Sequence, residues 1–206
     1  MRIERIERSK REQGHVLVRL EGGDLLRITE DELLRFDLYT GLDITAETVV
    51  ELQKRAARSE TRLRAANIVS ACALSKRELT RRLCGKGVSE EDAEAAADWL
   101  EGIGALDDLA YAKAVVRHYS GNGYGAAKIR DELRRRGVAR ELWDEALAGA
   151  PDAKETITRV IAAKTKDKTL DAKAYKKLSG ALLRRGFAWR DVKAALCSLG
   201  AEIEEE

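Results

Sequence analysis

The amino-acid sequence predicts a mainly α-helical protein of tandem three-helix repeats, with a small β-hairpin segment at its N-terminus. Three observations predict this class. Aromatic residues make up 5% and charged residues 36% of the 206 residues, and there is one proline. This composition is typical of charged helical surfaces over small aliphatic cores. Apolar side chains also follow a helical period after residue 60, and one pattern of apolar positions recurs about every fifty residues.

The first segment of the chain carries strand signals. Apolar residues occupy every second position on both sides of the Gly22-Gly23 pair, which predicts a β-hairpin. Ile3 and Ile6 are assigned to a third strand paired with it, although their spacing of three departs from a period of two.

Helix signals follow the hairpin. Thr29 and Glu32 form the T-x-x-E pattern of a capping box. Gly41 interrupts the chain before a second helix, which Thr45 caps and which we expect to end near Arg58. The β segment is therefore predicted to form a small lid on helices.

The repeat is aligned on three glycines, Gly87, Gly137 and Gly186, that each follow a basic residue. Apolar residues occur in every copy at eight and four positions before the glycine and at one, six and ten after it. The earlier positions predict the buried stripe of one helix, the glycine its left-handed end, and the later positions the stripe of the next helix. The fifteen positions are Leu79, Leu83, Val88, Ala93, Ala97, Ile129, Leu133, Val138, Trp143, Leu147, Leu178, Leu182, Phe187, Val192 and Leu196.

An amphipathic helix precedes each copy, so each repeat is predicted to contain three helices. The predicted domains are an N-terminal hairpin with helices (1–58), repeats at 59–106, 107–150 and 151–200, and an acidic tail (201–206). Pro151 is expected at the first position of the helix that opens the third repeat. Each repeat buries only part of its apolar surface alone, so we expect the repeats to stack into an elongated, curved body.

No catalytic residue, metal site or cofactor is predicted. His15 and His118 have no second ligand at a metal-binding spacing. The glycine-rich segment 121–125 follows a helix and lacks the Lys-Ser/Thr of a phosphate-binding loop, which predicts a linker and helix end. Asp107 and Asp108 are adjacent on the chain and face apart, which favours helix capping over acid–base chemistry.

The cysteines and the N-terminus predict a cytoplasmic protein. Cys72, Cys84 and Cys197 form no C-x-x-C pair, and each is interpreted as a small buried hydrophobic residue. An odd number of cysteines suits a reducing compartment. The charged N-terminus and the lack of an apolar run of ~18–20 residues argue against export and membrane insertion.

Positive charge is concentrated in the third repeat, where residues 151–200 hold twelve basic and five acidic residues. Basic residues also recur on the middle helix of every repeat. Such a ridge suits nucleic-acid phosphates or an acidic, repetitive protein surface, although Lys and Arg near a helix C-terminus also favour the helix dipole. The predicted partner-binding residues are Arg81, Arg82, Lys86, Lys128, Arg134, Arg135, Arg136, Lys176, Lys177, Arg184 and Arg185.

The repeats contain three segments that resemble the RecX family of bacterial recombination regulators. They are LSKRELTRRLCGKGV at 74–88, GALDDLAYAKAVVR at 104–117 and GAAKIRDELRRRGV at 125–138. The resemblance is tight over residues 65–147 and continues in register over most of the chain. It implies tandem three-helix repeats that bind the RecA filament in its groove and inhibit ATP hydrolysis, strand exchange and coprotease activity. It also implies a protein that is not an enzyme and acts in DNA repair and the SOS response. Apart from this resemblance, we expect the chain to be a monomer.

Two other functions stay open at this point. A DNA-binding protein that acts without a recombinase would use the basic helix as in a helix-turn-helix variant. Acidic residues on the next helix, such as Glu90 and Glu91, argue against this because they would repel phosphates. An adaptor for acidic helices of another protein is the third possibility. In the third repeat, Ala181 and Leu182 stand where the RecX family usually has an acidic residue followed by leucine, and KTKDKT at 164–169 is basic. These departures make single- or double-stranded DNA a candidate contact there.

Overall fold

The computed structural model describes residues 1–9, 14–165 and 172–198. Within these residues the chain forms ten α-helices and one three-stranded antiparallel sheet near the N-terminus. The prediction of a mainly α-helical protein with a small N-terminal β segment is therefore confirmed. The tail predicted at 201–206 and residues 166–169 of the KTKDKT segment lie outside the described residues.

The sheet joins β1 (Ile3–Arg8), β2 (His15–Leu20) and β3 (Leu25–Thr29) in that order. Alternate side chains of β2 and β3 are buried, which confirms the predicted hairpin. In β1 the pairing with β2 shifts between Ile3 and Arg5. Such a bulge places two residues of one strand opposite one residue of its partner. It explains why Ile3 and Ile6 both contact the core although they are three residues apart.

The first of two compact units contains the sheet and, among the described residues, comprises 1–9, 14–72 and 79–105. Its helices are α1 (Glu30–Arg35), α2 (Ala46–Ala71), the end of α3 (Lys76–Cys84) and α4 (Glu90–Gly102). Thr29 and Glu32 form the predicted capping box at the start of α1, and Thr45 caps α2. The sheet and α2 share a core that includes the fully buried Val18 and Leu52.

Helix α2 is a single helix of 26 residues, so the prediction that it ends near Arg58 is wrong. No glycine or proline interrupts it, and the ion pairs Arg55–Glu51 and Arg64–Glu60 support its exposed face at i,i+4 spacing. The predicted boundary between residues 58 and 59 lies inside this helix. Although α2 has the length of a membrane span, it is too charged for one, and no other helix in the described ranges has the required length and apolarity.

The second unit comprises residues 73–78 and, among the described residues, 106–165 and 172–198. Helices α5 (Asp108–Gly121), α6 (Ala126–Arg135) and α7 (Trp143–Leu147), with a 3-10 turn at Arg140–Leu142, pack around Ile129 and Leu133. Helices α8 (Ala153–Thr165), α9 (Ala172–Arg184) and α10 (Trp189–Ser198) pack around Ile157 and Leu182.

The three aligned glycines end their helices as predicted. Gly87, Gly137 and Gly186 have φ angles of 85°, 73° and 86°, in the left-handed region that favours glycine. In each repeat the next residue donates its amide to the carbonyl oxygen five residues earlier, as in the 3.0 Å bond from Val138 to Leu133. Twelve of the fifteen aligned apolar residues are buried, and the other three are half-buried.

Two kinds of prediction fail near helix ends. All three cysteines are exposed rather than buried. Cys72 follows the last residue of α2 and Cys84 is the last residue of α3, where a helix no longer presents its stripe to the core. Pro151 lies two residues before α8, and Asp152 instead accepts a 3.0 Å hydrogen bond from the amide of Lys154 at the start of that helix.

Candidate partner-binding surface

The eleven predicted partner-binding residues lie on, or directly after, the middle helices α3, α6 and α9. Arg81, Arg82 and Lys86 belong to the first unit, and the other eight belong to the second. Nine of the eleven side chains are exposed, whereas Arg136 and Arg185 are half-buried. Basic residues at the ends of the middle helices therefore differ in how accessible their side chains are to a partner.

The end of α6 contains a buried carboxylate held by arginines. The side chain of Glu132 is 5% exposed and accepts hydrogen bonds from Arg135 (Nη2, 2.8 Å) and Arg136 (Nε, 2.7 Å). Burial alone would raise the pKa of Glu132, but hydrogen bonds from Arg135, Arg136 and Tyr119 outweigh it and lower the pKa to about 2.

Arg136 is tied to the protein by further bonds. Its Nη1 donates a 2.8 Å hydrogen bond to the hydroxyl of Tyr111. Burial alone would lower the pKa of Arg136, but hydrogen bonds with Tyr111 and Glu132 raise it above its ordinary value. This guanidinium stabilises the second repeat and offers little to a partner, whereas the neighbouring Arg134 side chain is 74% exposed.

The start of α3 is joined to the second repeat. The hydroxyl of the fully buried Ser75 donates to the carbonyl oxygen of Arg136 and accepts a 3.2 Å bond from the amide of Glu78. Asp108 accepts a 2.7 Å bond from the amide of Lys76. Asp107 accepts a 2.8 Å bond from the amide of Ala110, at the start of its own helix.

Residues from all three segments that resemble the RecX family take part in this junction and in the contacts of Arg136. They are Ser75 of 74–88, Asp108 and Tyr111 of 104–117, and Glu132 of 125–138. The predicted capping of α5 by Asp107 is confirmed, whereas Asp108 accepts its bond from the start of α3. The helix that Asp108 caps was not predicted, because the bond joins residues 32 positions apart in the chain.

Arg185 joins the second and third repeats. Its Nη1 donates 3.0 Å hydrogen bonds to the carbonyl oxygens of Asn122 and Gly123, and its guanidinium lies 5.3 Å from the ring centre of Tyr124. The amide of Gly125 donates a 2.8 Å bond to the carbonyl oxygen of Arg185. The glycine-rich segment 121–125 thus ends α5 as predicted, and it also forms the contact with the next repeat.

Exposed cations remain on α6 after these contacts. Lys128 is exposed, and Arg134 forms a 2.9 Å ion pair with Asp131, which is itself 61% exposed. Exposed ion pairs contribute only about 0–1 kcal/mol, so this pairing leaves Arg134 available to a stronger anionic partner.

Helix α9 offers a different surface, because its sequence contains no acidic residue. Lys176, Lys177 and Arg184 are exposed, and in the described part of the chain none of them has a carboxylate partner. Arg81 and Arg82 on α3 are exposed, as is Lys86 just after it, and Nη1 of Arg82 donates to Sγ of Cys72 at 3.2 Å. Among the described residues, the α9 surface therefore carries positive charge that no carboxylate compensates.

The fold and this surface define a class of helical-repeat protein in which the middle helix of each unit is basic and ends at a glycine. Residues 107–147 match the family model described as RecX, second three-helix domain. The regulatory protein RecX of Xanthomonas oryzae pv. oryzae is 35% identical over 126 residues, which cover 59% of this chain and 77% of the relative. The regulatory protein RecX of Vibrio campbellii is 36% identical over 121 residues, which cover 58% of this chain and 78% of the relative.

A crystal structure of regulatory protein RecX has a TM-score of 0.77 with this chain, at 22% identity, and the match covers 94% of this chain and 98% of that one. At this identity the likeness shows a shared fold. The sequence relatives and the shared fold together confirm the resemblance. The chain belongs to the RecX family of regulatory proteins.

Proposed function

We propose that this protein binds RecA recombinase filaments on single-stranded DNA and inhibits their ATP hydrolysis, strand exchange and coprotease activity. It acts by occupying the filament groove and catalyses no reaction of its own. Membership of a family of regulatory proteins supports the regulatory part of the proposal. The partner is proposed because a filament presents the same surface again at each protomer, which suits a chain of similar modules.

The observation that carries the proposal is the repeated exposure of cations on middle helices. Lys128 and Arg134 on α6 and Lys176, Lys177 and Arg184 on α9 are all exposed. Two modules that each bind one protomer weakly gain avidity, since the second contact forms at a high effective concentration. The charge also predicts binding that weakens as salt concentration rises.

The test is the single-stranded-DNA-dependent ATPase rate of the cognate RecA at increasing concentrations of this protein, with binding to bare DNA measured in the same buffer. A fall in rate at concentrations too low to coat the DNA supports the proposal. An unchanged rate at concentrations that saturate the DNA contradicts it.

A surface variant assigns the effect to α9. Lys176→Glu with Lys177→Glu should raise the concentration needed for half-inhibition at least tenfold. The matched control is Arg117→Glu with Lys154→Glu, which makes the same change of charge at exposed positions of α5 and α8. Equal inhibition by both variants would show that α9 does not contact the filament.

A second variant tests α6 without unfolding it. Reversing Arg134, Arg135 and Arg136 together would remove both arginines that hold Glu132, so a loss of binding would have two explanations. Lys128→Glu with Arg134→Glu changes only exposed side chains. Weaker inhibition with an unchanged circular dichroism spectrum would place the filament contact on this helix.

DNA binding without a recombinase is the second candidate, and the lack of acidic residues on α9 favours it. Under this alternative, the α9 variant binds bare DNA more weakly than the original chain does. Adding RecA does not change the factor by which the affinity falls. No effect on the ATPase, together with tight and strongly salt-dependent DNA binding, would support this alternative.

A further inference from the structure

The first unit contains an open groove of about 830 Å³ that no sequence pattern predicted. Helices α1, α2 and α4 line it. Its apolar part comprises Leu63, which is 52% exposed, and the half-buried Ala66 and Trp99. Its charged part includes five cations from α1 and α2, which are Arg35, Lys54, Arg55, Arg58 and Arg62.

Contacts within the unit occupy some of these charged groups. Glu51 pairs with Arg55 at 2.8 Å, and Arg58 lies 3.3 Å from both Glu91 and Asp92. Buried Glu32 accepts hydrogen bonds from the amide of Thr29 at 2.8 Å and the hydroxyl of Ser59 at 2.9 Å.

Three cations of the groove remain without such compensation. Arg35, Lys54 and Arg62 are exposed, and the described residues provide no carboxylate partner for any of them. Lys54 and Arg62 are eight residues apart on one face of α2, about 12 Å along the helix, and the paired Arg58 lies between them. The groove therefore combines an apolar contact with a row of positive charge, which fits an anionic ligand that also carries an aliphatic group.

We propose that this groove binds an acidic peptide segment of a partner protein, with an aliphatic side chain packed against Leu63 and carboxylates facing Lys54 and Arg62. A peptide fits better than single-stranded nucleic acid for two reasons. The guanidinium of Arg62 lies 5.4 Å from the ring centre of Trp99, so it covers the face on which a base would stack. Asp31 and Glu51 also line the groove and would repel a continuous row of phosphates, whereas a peptide can place its carboxylates between them.

This site goes beyond the proposed function, because it lies in the first unit and uses none of the residues of α6 or α9. Its test measures a peptide rather than a filament. The probe is a fluorescein-labelled Glu-Glu-Ile-Glu-Glu peptide, and its affinity for the full chain is measured by fluorescence anisotropy. The groove variant is Lys54→Glu with Arg62→Glu, and the matched control is Arg117→Glu with Lys154→Glu, which makes the same change of charge at exposed positions outside the groove.

The groove variant should bind the peptide at least tenfold more weakly than the original chain, and the control within twofold of it. Leu63→Gln should weaken binding of this peptide but not of a Glu-Glu-Gly-Glu-Glu peptide. Unchanged binding by the groove variant overturns the proposal. Displacement of the peptide by an oligothymidylate that itself loses affinity in the groove variant assigns the groove to nucleic acid instead and also overturns it.

Residues 201–206 of this chain, AEIEEE, have the same chemistry as the probe and provide a further outcome. Deletion of these residues should leave the affinity for the peptide within twofold. A gain of tenfold or more would identify the tail as the occupant and overturn the assignment to a partner protein. None of these results depends on inhibition of RecA, so failure of this proposal and failure of the proposed function are distinguishable.

Discussion

Gly125 lies against the backbone of Gly186, so a side chain at either position would overlap with the neighbouring repeat. A Cβ atom on Gly125 would lie 2.6 Å from the amide nitrogen of Phe187. One on Gly186 would lie 2.7 Å from the Cβ of Lys128. The amide of Ala127 also donates a 3.1 Å hydrogen bond to the carbonyl oxygen of Gly186. The second and third repeats are therefore joined through backbone that only glycine allows to approach so closely.

Substitution of Gly125 by alanine should destabilise this junction. We expect Gly125→Ala to lower the free energy of unfolding by about 1–3 kcal/mol, because an added methyl group forces the two backbones apart. The measurement is the urea midpoint followed by circular dichroism. Gly121→Ala is the control, because a Cβ there meets no atom within 4 Å. Equal midpoints for the two variants would contradict the close contact.

Loss of the Ser75 hydroxyl should destabilise the junction between α3 and the second repeat. Ser75→Ala removes a fully buried hydroxyl and leaves the Arg136 carbonyl without this donor, which costs about 1–3 kcal/mol. Ser70→Ala is the comparison, since Ser70 is exposed and bonds only to the carbonyl oxygen of Asn67 on its own helix. Hydrogen exchange at the amides of α3 measures the effect. Protection factors reduced equally by both substitutions would argue against a special role for Ser75.

Local signals in the sequence predicted the helix ends. The end of α6 depends on the left-handed φ angle of the single residue Gly137, and the capping box at Thr29 joins residues three positions apart. Such features are specified within one turn, so the spacing of residue types suffices to identify them. The bulge in β1 is also reflected in the local sequence, by the spacing of three between Ile3 and Ile6.

Features that depend on residues far apart in the chain could not be predicted in this way. Arg134 and Arg136 are both basic residues at the end of one helix, yet Arg136 bonds to Tyr111, 25 positions away. The bonds from Arg185 to Asn122 and Gly123 span more than sixty positions. The recurrence of basic residues thus predicted a surface, but not which of its members bind within the molecule.

Arginines at the end of α6 should differ in their effect on stability. Arg136→Ala removes hydrogen bonds to Glu132 and Tyr111, and bonds to charged groups contribute about 1.5–3 kcal/mol each. Arg134→Ala removes only an exposed ion pair and should change stability by less than about 0.5 kcal/mol. Urea unfolding of the two variants compares residues of the same type two positions apart. A loss of stability in Arg134→Ala as large as in Arg136→Ala would contradict this assignment.

Stability should depend on pH through Glu132. Its pKa is lowered from an ordinary value of 4.5 to about 2 in the folded protein. A depressed pKa stabilises the fold fully above the unfolded value, and this contribution is lost as the pH falls from about 5 to about 2. Glu132→Gln removes the charge at nearly constant shape. We therefore expect this variant to be less stable than the original chain at neutral pH, by about 3 kcal/mol at most, and the difference to shrink in acid.

The measurement is the free energy of unfolding of both proteins by urea at several pH values between about 7 and 2.5. Asp131→Asn removes an exposed carboxylate from the same helix and is the matched control, with an expected loss of less than about 1 kcal/mol at neutral pH. The difference between Glu132→Gln and the original chain should fall steadily below about pH 5, because protonation then removes the same charge from Glu132 itself. A difference that stays constant down to about pH 2.5 would mean that the arginines do not hold this carboxylate in its charged form.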